Sequence, residues 1–206
     1  MFYLVKTPFV LQKLYPHCLW EVKTTEKALF LTFDDGPTPE VTAFVLAELK
    51  KYQAAATFFC IGKNVSRHFK IYKQLIAAGH KPGNHTFNHL NGWKTGDKDY
   101  LADVGAAAEI IDSGLFRPPY GRISNFKVRA LEGDRFKLKT VMWTVLSGDF
   151  DERITAERCY QNVIKNAKGG SIVVFHDSVK AFSKLQVVLP RVLEFFSTRG
   201  FQFKSL

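Results

Sequence analysis

Leu29-Phe30-Leu31-Thr32-Phe33-Asp34-Asp35-Gly36-Pro37 is an apolar run of strand-forming residues that ends in two adjacent carboxylates and a Gly-Pro turn. Neighbouring residues on a strand point to opposite sides, but the Gly-Pro turn releases the backbone from strand geometry, so both carboxylates can face one cleft. Two carboxylates this close repel each other unless a cation lies between them. The pair therefore favours a division of roles, with one carboxylate on a metal ion and the other in proton transfer. A plain Asp-Gly turn, in which Asp34 or Asp35 caps the helix that follows Pro39, is the alternative that these residues alone leave open.

The composition of the 206 residues is that of a globular domain, with 46% apolar and 23% charged residues. A net charge of +10 favours an anionic partner. The basic residues are scattered, however, and no arginine-rich helix or zinc-finger spacing occurs, so we expect no nucleic-acid partner and keep nucleic-acid binding as the weaker alternative. Three widely spaced cysteines without a Cys-x-x-Cys pair indicate neither a disulfide framework nor a thiolate zinc site.

The first ten residues are apolar, but we expect no secretory signal in them. Lys6 and Pro8 interrupt them, and they lack a basic start, a continuous apolar run and a small-residue cleavage site. No later segment is long enough and free enough of charge to span a bilayer. As written, the sequence predicts a cytoplasmic protein without a transmembrane segment; a processed or trimmed start would allow an extracytoplasmic one.

From residue 28 onward, strand-like runs alternate with helix-like periodic segments, the pattern of an α/β protein with a parallel sheet. The predicted strands cover residues 28–33, 54–60, 80–84, the start of 115–121, 138–143, 171–175 and 201–203. The predicted helices cover residues 39–52, 65–78, 97–111, 126–131, 155–167 and a segment around 185–196. These segments make about seven strand-helix units, one short of the usual eight-fold barrel, and no linker divides them. We expect a single domain over residues 28–206, with residues 1–27 as an extension packed on it or leading into it.

Titratable side chains follow five of these predicted strands. In parallel α/β folds the active site lies at the carboxyl ends of the strands, so side chains at these positions should lie near one another. The residues concerned are Asp34, Asp35, His85, His89, Arg117, Asp149, His176 and Asp177.

His85 and His89 are spaced i, i+4, which places both imidazoles on one face if their loop takes a helical turn. With a carboxylate they make a two-histidine, one-carboxylate site that leaves coordination positions open, as a catalytic zinc requires. Thr86 stands where a His-Glu-x-x-His protease has its glutamate. A general base must therefore come from elsewhere, and Asp34 is available.

Five motifs in this order resemble those of the polysaccharide deacetylases, carbohydrate esterase family 4. They are Thr32-Phe33-Asp34-Asp35-Gly36-Pro37, His85-Thr86-Phe87-Asn88-His89, Arg117-Pro118-Pro119-Tyr120-Gly121, residues 143–150, and Ile172-Val173-Val174-Phe175-His176-Asp177. The resemblance covers residues 28–206 and implies a distorted (β/α) barrel with fewer than eight units. It also implies a metal-dependent hydrolase that acts on carbon-nitrogen bonds and removes acetyl groups from the N-acetylated amino sugars of an oligosaccharide or polysaccharide.

Carried over residue by residue, the resemblance makes Asp34 the general base and Arg117 its ion-pair partner. His176 becomes the general acid, which Asp149 orients and tunes.

The resemblance also assigns the metal site and the pocket. It makes Asp35, His85 and His89 the ligands of one divalent ion, for which zinc is expected and cobalt or nickel are alternatives. The main chain at Tyr120 would help to hold the oxyanion, and Val174 would line the pocket for the acetyl methyl group.

The fourth motif departs from the family pattern. Leu146 stands where many members carry an aspartate, and Phe150 replaces the following tryptophan. Both positions would border the sugar groove, so these departures concern the shape of the substrate more than the chemistry. Two alternatives stay open: an O-acetyl sugar esterase, and a carbohydrate-binding protein of the same fold without turnover.

Overall fold

Parallel strands alternate with helices along the part of the chain that the computed structural model describes, residues 3–206. The strands are β1 (Ala28–Asp34), β2 (Thr57–Cys60), β3 (Lys81–Asn84), β4 (Leu115–Phe116), β5 (Lys139–Thr140), β6 (Val145–Leu146), β7 (Ile172–His176) and β8 (Gln202–Phe203). The helices are α1 (Phe9–Leu14), α2 (Pro39–Lys51), α3 (Gly62–Arg67), α4 (Phe69–Ala77), α5 (Asp97–Ala108), α6 (Asn125–Glu132), α7 (Ala156–Ile164) and α8 (Val179–Ser197), with a 3₁₀ turn at Pro119–Gly121.

Seven parallel strands lie in the order β5-β4-β3-β2-β1-β7-β6, and β8 pairs with the start of β1. Only residues 141–144 join the two outer strands of this order, β5 and β6, so the sheet curls into an incomplete barrel. The predicted distorted (β/α) barrel of about seven units is confirmed. Because the strands are parallel, their carboxyl ends meet at one rim.

β1 lies inside the sheet between β2 and β7, and all seven of its residues are buried. Phe33 stacks between Phe58 on β2 and Phe175 on β7, with ring centroids 4.9 and 6.0 Å away. Burial on both faces explains why β1 is a continuous apolar run without polar alternation. The helices pack around the sheet, and in the described part of the chain none combines the length and apolarity needed to cross a membrane.

The segment before β1 spans the gap between the two outer strands. Leu19 donates its N–H to the carbonyl of Thr140 and accepts a bond from the N–H of Met142, both at the β5 edge. On the β6 edge, Val5 accepts from the N–H of Leu146. The chain thus bonds to both sides of the opening before it enters the barrel.

Two predicted elements differ in the structure. The single helix predicted over residues 65–78 is two helices, because His68 has φ −125° and ψ 41°, outside the helical region. The apolar spacing continues across this break, so periodicity does not reveal it. The strand predicted over residues 138–143 keeps only two residues as β5, because Met142 bonds to Leu19 of the segment before β1. β6 was not predicted.

Candidate active site

The strand ends meet around a cavity of about 600 Å³. Asp34 and His176 face each other in register at the ends of the neighbouring strands β1 and β7. The cavity lining includes these two residues together with Asp35, His85 and His89. The five residues therefore lie at one site, as their positions at strand ends predicted.

Asp35, His85 and His89 each offer one ligand atom, and these atoms lie within 4.8 Å of one another. Asp35 Oδ1 is 3.1 Å from His89 Nε2 and 3.6 Å from His85 Nε2. Two imidazoles and one carboxylate form a borderline donor set that suits a divalent transition metal and leaves coordination positions open. The residues fit the metal site that the sequence predicts.

The backbone at the end of β4 orients the His85 ring as a metal ligand. Its Nδ1 lies 2.8 Å from the backbone carbonyl oxygen of Arg117, to which it donates, so the lone pair of Nε2 faces Asp35. Burial lowers the pKa of His85 to about 4, against the opposing charges of Asp34 and Asp35. At neutral pH the ring is therefore uncharged and can act as a ligand.

Asp35 is held as a carboxylate by the surrounding histidines. Burial raises its pKa, but the hydrogen bond from His89 and the charge of His176 outweigh burial and bring the pKa below its usual range. A metal ligand must be ionised, so this environment suits a ligand.

Asp34 points the other way, into an ion pair with a wholly buried arginine. Arg117 Nη1 lies 2.7 Å from Asp34 Oδ1 and also donates to Thr32 Oγ1 at 2.7 Å. Its other nitrogens donate to the carbonyls of Val141 and Met142, at 3.3 and 3.1 Å. The guanidinium is thus fixed on several sides and holds Asp34 in one orientation at the cavity wall.

His176 makes a second polar pair with the buried carboxylate of Asp149. His176 Nδ1 lies 2.7 Å from Asp149 Oδ1, and the His176 backbone N–H donates to Oδ2 at 2.7 Å. Burial lowers the pKa of His176, but the charge and hydrogen bond of Asp149, helped by Asp35 and Asp34, raise it to about 9. With Nδ1 on Asp149, Nε2 is the nitrogen left for the cavity.

Four non-glycine residues at this rim have left-handed backbone conformations: Asp35 (φ 81°), Thr86 (φ 61°), His89 (φ 58°) and Tyr120 (φ 61°). Such conformations cost free energy and are held in place by surrounding structure, typically at functional sites. Here they turn consecutive side chains out of strand geometry. This explains how the adjacent Asp34 and Asp35 can both line the cavity.

The remaining predicted pocket residues also line the cavity. Val174 on β7 is buried, and Leu146 is its partner in register on β6. The ring of Phe150 packs 5.0 Å from that of His176, and the ring of Tyr120 lies 4.7 Å from that of His89. Phe150, Tyr120, Val174 and Leu146 all belong to the cavity lining.

Three strand-end residues do not line the cavity. Arg117 and Asp149 pair with Asp34 and His176, and the third is Asp177. Its Oδ1 accepts the Gly36 N–H at 3.0 Å, and its Oδ2 accepts the Thr42 hydroxyl at 2.5 Å. Burial raises the pKa of Asp177 to about 8. Asp177 therefore braces the turn after Asp35; a Cβ on Gly36 would lie only 2.0 Å from the Asp177 carboxylate.

The sequence predictions missed one whole wall of the cavity. Residues before β1 contribute Tyr3, Leu4, Thr7, Leu11, Tyr15 and Trp20 to the lining. Trp93 lines it as well, in the loop between β3 and α5. The density of aromatic and aliphatic residues in the first twenty positions is the available signal; the sequence predicts that residues 1–27 pack on the domain or lead into it, but not that they line the cavity.

Comparison with known proteins shows the family. The family model described as polysaccharide deacetylase matches residues 21–141. The chain is 37% identical over 198 residues to a peptidoglycan-N-acetylglucosamine deacetylase of Bacillus cereus, covering 91% of this chain and 90% of that protein. It is 31% identical over 163 residues to a chitooligosaccharide deacetylase of Azorhizobium caulinodans, covering 76% of each.

Comparison with solved structures also points to the polysaccharide deacetylases. A solved structure of a peptidoglycan N-acetylglucosamine deacetylase, in complex with a naphthalenyl N-hydroxybenzamide, matches with a TM-score of 0.87 and 28% identity, covering 97% of this chain and 95% of that one. The family-model match ends before Asp149 and His176, whereas the likeness to this structure also covers the second half of the site. The chain belongs to the polysaccharide deacetylase family.

Proposed function

We propose that this chain is a metal-dependent carbohydrate N-deacetylase that releases acetate from N-acetylated amino sugars of an oligosaccharide or polysaccharide. The observation that carries the proposal is the placement of Asp34 and His176 on adjacent strand ends, on the rim of a cavity that also holds the Asp35, His85 and His89 ligand atoms. The curated relatives named as peptidoglycan-N-acetylglucosamine and chitooligosaccharide deacetylases support this substrate class.

Asp35, His85 and His89 would hold the metal ion, with zinc expected and cobalt or nickel as alternatives. A divalent ion bound there would polarise the amide carbonyl and lower the pKa of a water molecule in the site. The protein's own contribution is to keep Asp35 ionised and His85 uncharged, as their surroundings do.

Asp34 is proposed as the general base. It lies next to the ligand residue Asp35, yet its Oδ1 is held by Arg117, so it can take a proton from the attacking water without leaving its position. General base catalysis by a positioned carboxylate typically contributes about 10²–10⁴-fold.

His176 is proposed as the general acid. Its bond to Asp149 fixes the ring, and the raised pKa keeps it protonated at neutral pH, so Nε2 can give a proton to the departing amine nitrogen. An amide requires this step more than an ester does, because an unprotonated amine is a very poor leaving group. The Asp149–His176 pair therefore favours the deacetylase over the esterase.

The rest of the cavity would position the sugar. We assign the Tyr120 main chain to the oxyanion, the buried Val174 side chain to the acetyl methyl group, and Phe150 to the wall beside His176. Residues 28–206 would form the catalytic domain, and the extension of residues 1–27 would add the apolar wall that includes Leu11 and Trp20.

Product analysis on matched substrates tests the proposal. The metal-loaded protein should release acetate and leave a free amine on N-acetylglucosamine oligomers or peptidoglycan, and Asp34→Asn should abolish this release. Acetylated xylan serves as the ester comparison. Release from xylan alone would make the protein an esterase, and release from none of the three by metal-loaded, folded protein would make it a binding protein.

A further inference from the structure

Helix α1 stands at the rim of the cavity, and none of its six residues is buried. Phe9, Val10 and Leu14 are 66%, 67% and 58% exposed. A helix this short gains little from backbone propensity and normally depends on burying an apolar face. In the described part of the chain, nothing covers these three side chains.

The exposed apolar surface continues from α1 around the mouth of the cavity. Leu4 and Leu11 are exposed and line the cavity from the same segment, and Trp93 and Tyr120 are exposed and line it from other loops. Phe126 follows Asn125, whose side-chain amide donates to the carbonyl of Leu14. We call this set the apolar rim: Leu4, Phe9, Val10, Leu11, Leu14, Trp93, Tyr120 and Phe126. It contains eight of the twelve large exposed hydrophobic residues within residues 3–206.

Cations flank the apolar rim. Residues 3–20 contain the exposed Lys6 and Lys13 and no acidic residue. The Lys13 ammonium lies 4.8 Å from the centre of the Phe9 ring. Arg122 and Lys180 line the cavity. An apolar patch on a six-residue helix beside exposed lysines has the chemistry of a surface that lies on an anionic lipid bilayer.

We propose that the apolar rim docks on an anionic lipid bilayer, with Phe9, Val10 and Leu14 inserted at the headgroup boundary and the mouth of the cavity next to the membrane. A second copy of the chain fits less well, because a two-fold contact between equal surfaces would bring together two patches that both carry the positive charges of Lys6 and Lys13. The proposal goes beyond the deacetylase function and does not depend on it, since docking requires no turnover.

Vesicle binding tests the docking directly. The protein should co-sediment with vesicles of phosphatidylcholine and phosphatidylglycerol, more weakly as salt is raised and more weakly with phosphatidylcholine alone. The variant Phe9→Ser/Val10→Ser/Leu14→Ser should bind at least about tenfold less tightly, because three apolar side chains are lost from the contact. None of the three lines the cavity, so turnover of a soluble N-acetylglucosamine oligomer should not change and reports that the variant is folded.

Phe69→Ser on α4 is the matched control. Phe69 is 49% exposed and has Lys73 four residues later, with the ammonium 5.3 Å from its ring, which repeats the Phe9–Lys13 arrangement outside the cavity lining. This variant should bind vesicles as the unmodified protein does. Equal loss in both variants would show a general effect of surface hydrophobicity and overturn the proposal.

A second pair of variants keeps the apolar character and so avoids any question of folding. Brominated lipids in the vesicles should quench the fluorescence of the tryptophan introduced by Phe9→Trp. They should not quench that of the tryptophan introduced by Phe69→Trp. Absence of binding by the unmodified protein, or equal quenching at the two positions, would overturn the proposal. The proposal would also be overturned if light scattering showed a dimer that the triple variant abolishes and no vesicle binding occurred. The apolar rim would then be a contact between two copies of the chain.

Discussion

Adjacent residues at this site have different partners, and the backbone explains how. Asp34 pairs with Arg117, and Asp35, at φ 81°, turns towards the histidines. The same division occurs on β7, where His176 bonds to Asp149 and its neighbour Asp177 bonds to the turn at Gly36. The ends of β1 and β7 therefore each present one side chain that we propose for proton transfer, beside a second that faces the histidines or holds the turn.

At the residue scale, the Asp149–His176 pair predicts a titration. In the metal-free protein, His176 should titrate near pH 9, above its ordinary 6.5, because Asp149 stabilises the imidazolium. A raised folded-state pKa contributes stability that is complete below pH 6.5 and is lost as the pH rises through about 9. Asp149→Asn should lower the pKa and shrink this contribution.

A pH titration of the His176 ring protons by NMR measures the pKa of His176 in the unmodified protein and in Asp149→Asn. In the metal-loaded enzyme, the alkaline limb of the rate profile should move to lower pH in Asp149→Asn, because the acid loses its proton earlier. Lys180→Ala, in the cavity lining, is the control and should leave the titration of His176 nearly unchanged. An unshifted His176 titration in Asp149→Asn would contradict the proposed tuning.

At the scale of elements, Arg117 joins the ends of three parts of the sheet. It follows β4, pairs with Asp34 and Thr32 on β1, and donates to the carbonyls of Val141 and Met142 after β5. Its guanidinium carbon also lies 4.0 Å from the centre of the Phe59 ring on β2. The orientation of the proposed base is thus a property of several strands together.

Arg117→Lys keeps the charge but loses the fork of donors. We expect the Asp34 carboxylate to lose its fixed orientation and turnover to fall. The free energy of unfolding should drop by up to about 3–5 kcal/mol, which is typical of a broken buried ion pair. Urea unfolding and acetate release measure the two effects. Arg122→Lys, in the cavity lining, should cost much less stability. Equal stability of Arg117→Lys and the unmodified protein would show that the Asp34–Arg117 ion pair does not stabilise the fold.

At the scale of the whole molecule, the segment before β1 completes the barrel and one wall of the site. Trp20 is buried, and its ring nitrogen donates to the carbonyl of Tyr15 at 3.1 Å. Cys18 is buried beside it in the same apolar cluster. The segment is therefore part of the folded domain, although it precedes all five family motifs.

Trp20→Ala should destabilise the protein by about 3 kcal/mol or more, the usual cost of removing a buried aromatic ring. Denaturant unfolding measures this loss, and Trp93→Ala, which removes a largely exposed ring, should cost far less. Similar small losses in both variants would mean that the segment is only loosely attached to the barrel.

How much could be predicted from the sequence differs between these scales. Residue patterns predicted the parallel sheet and the meeting of Asp34, His85 and His176 at one rim, because strand ends in such sheets share an edge. They did not predict β6 or the short β5, since these strands depend on pairing with distant residues such as Leu19. The apolar cavity wall was missed for the same reason: long-range contacts leave no local periodicity.

The most direct test of the account separates the two adjacent aspartates. Metal content and acetate release should be measured on the unmodified protein, Asp34→Asn and Asp35→Asn after loading with zinc. Asp34→Asn should keep the metal and lose turnover, whereas Asp35→Asn should lose the metal as well. Equal loss of metal in both variants, or full turnover in Asp34→Asn, would contradict this assignment of roles.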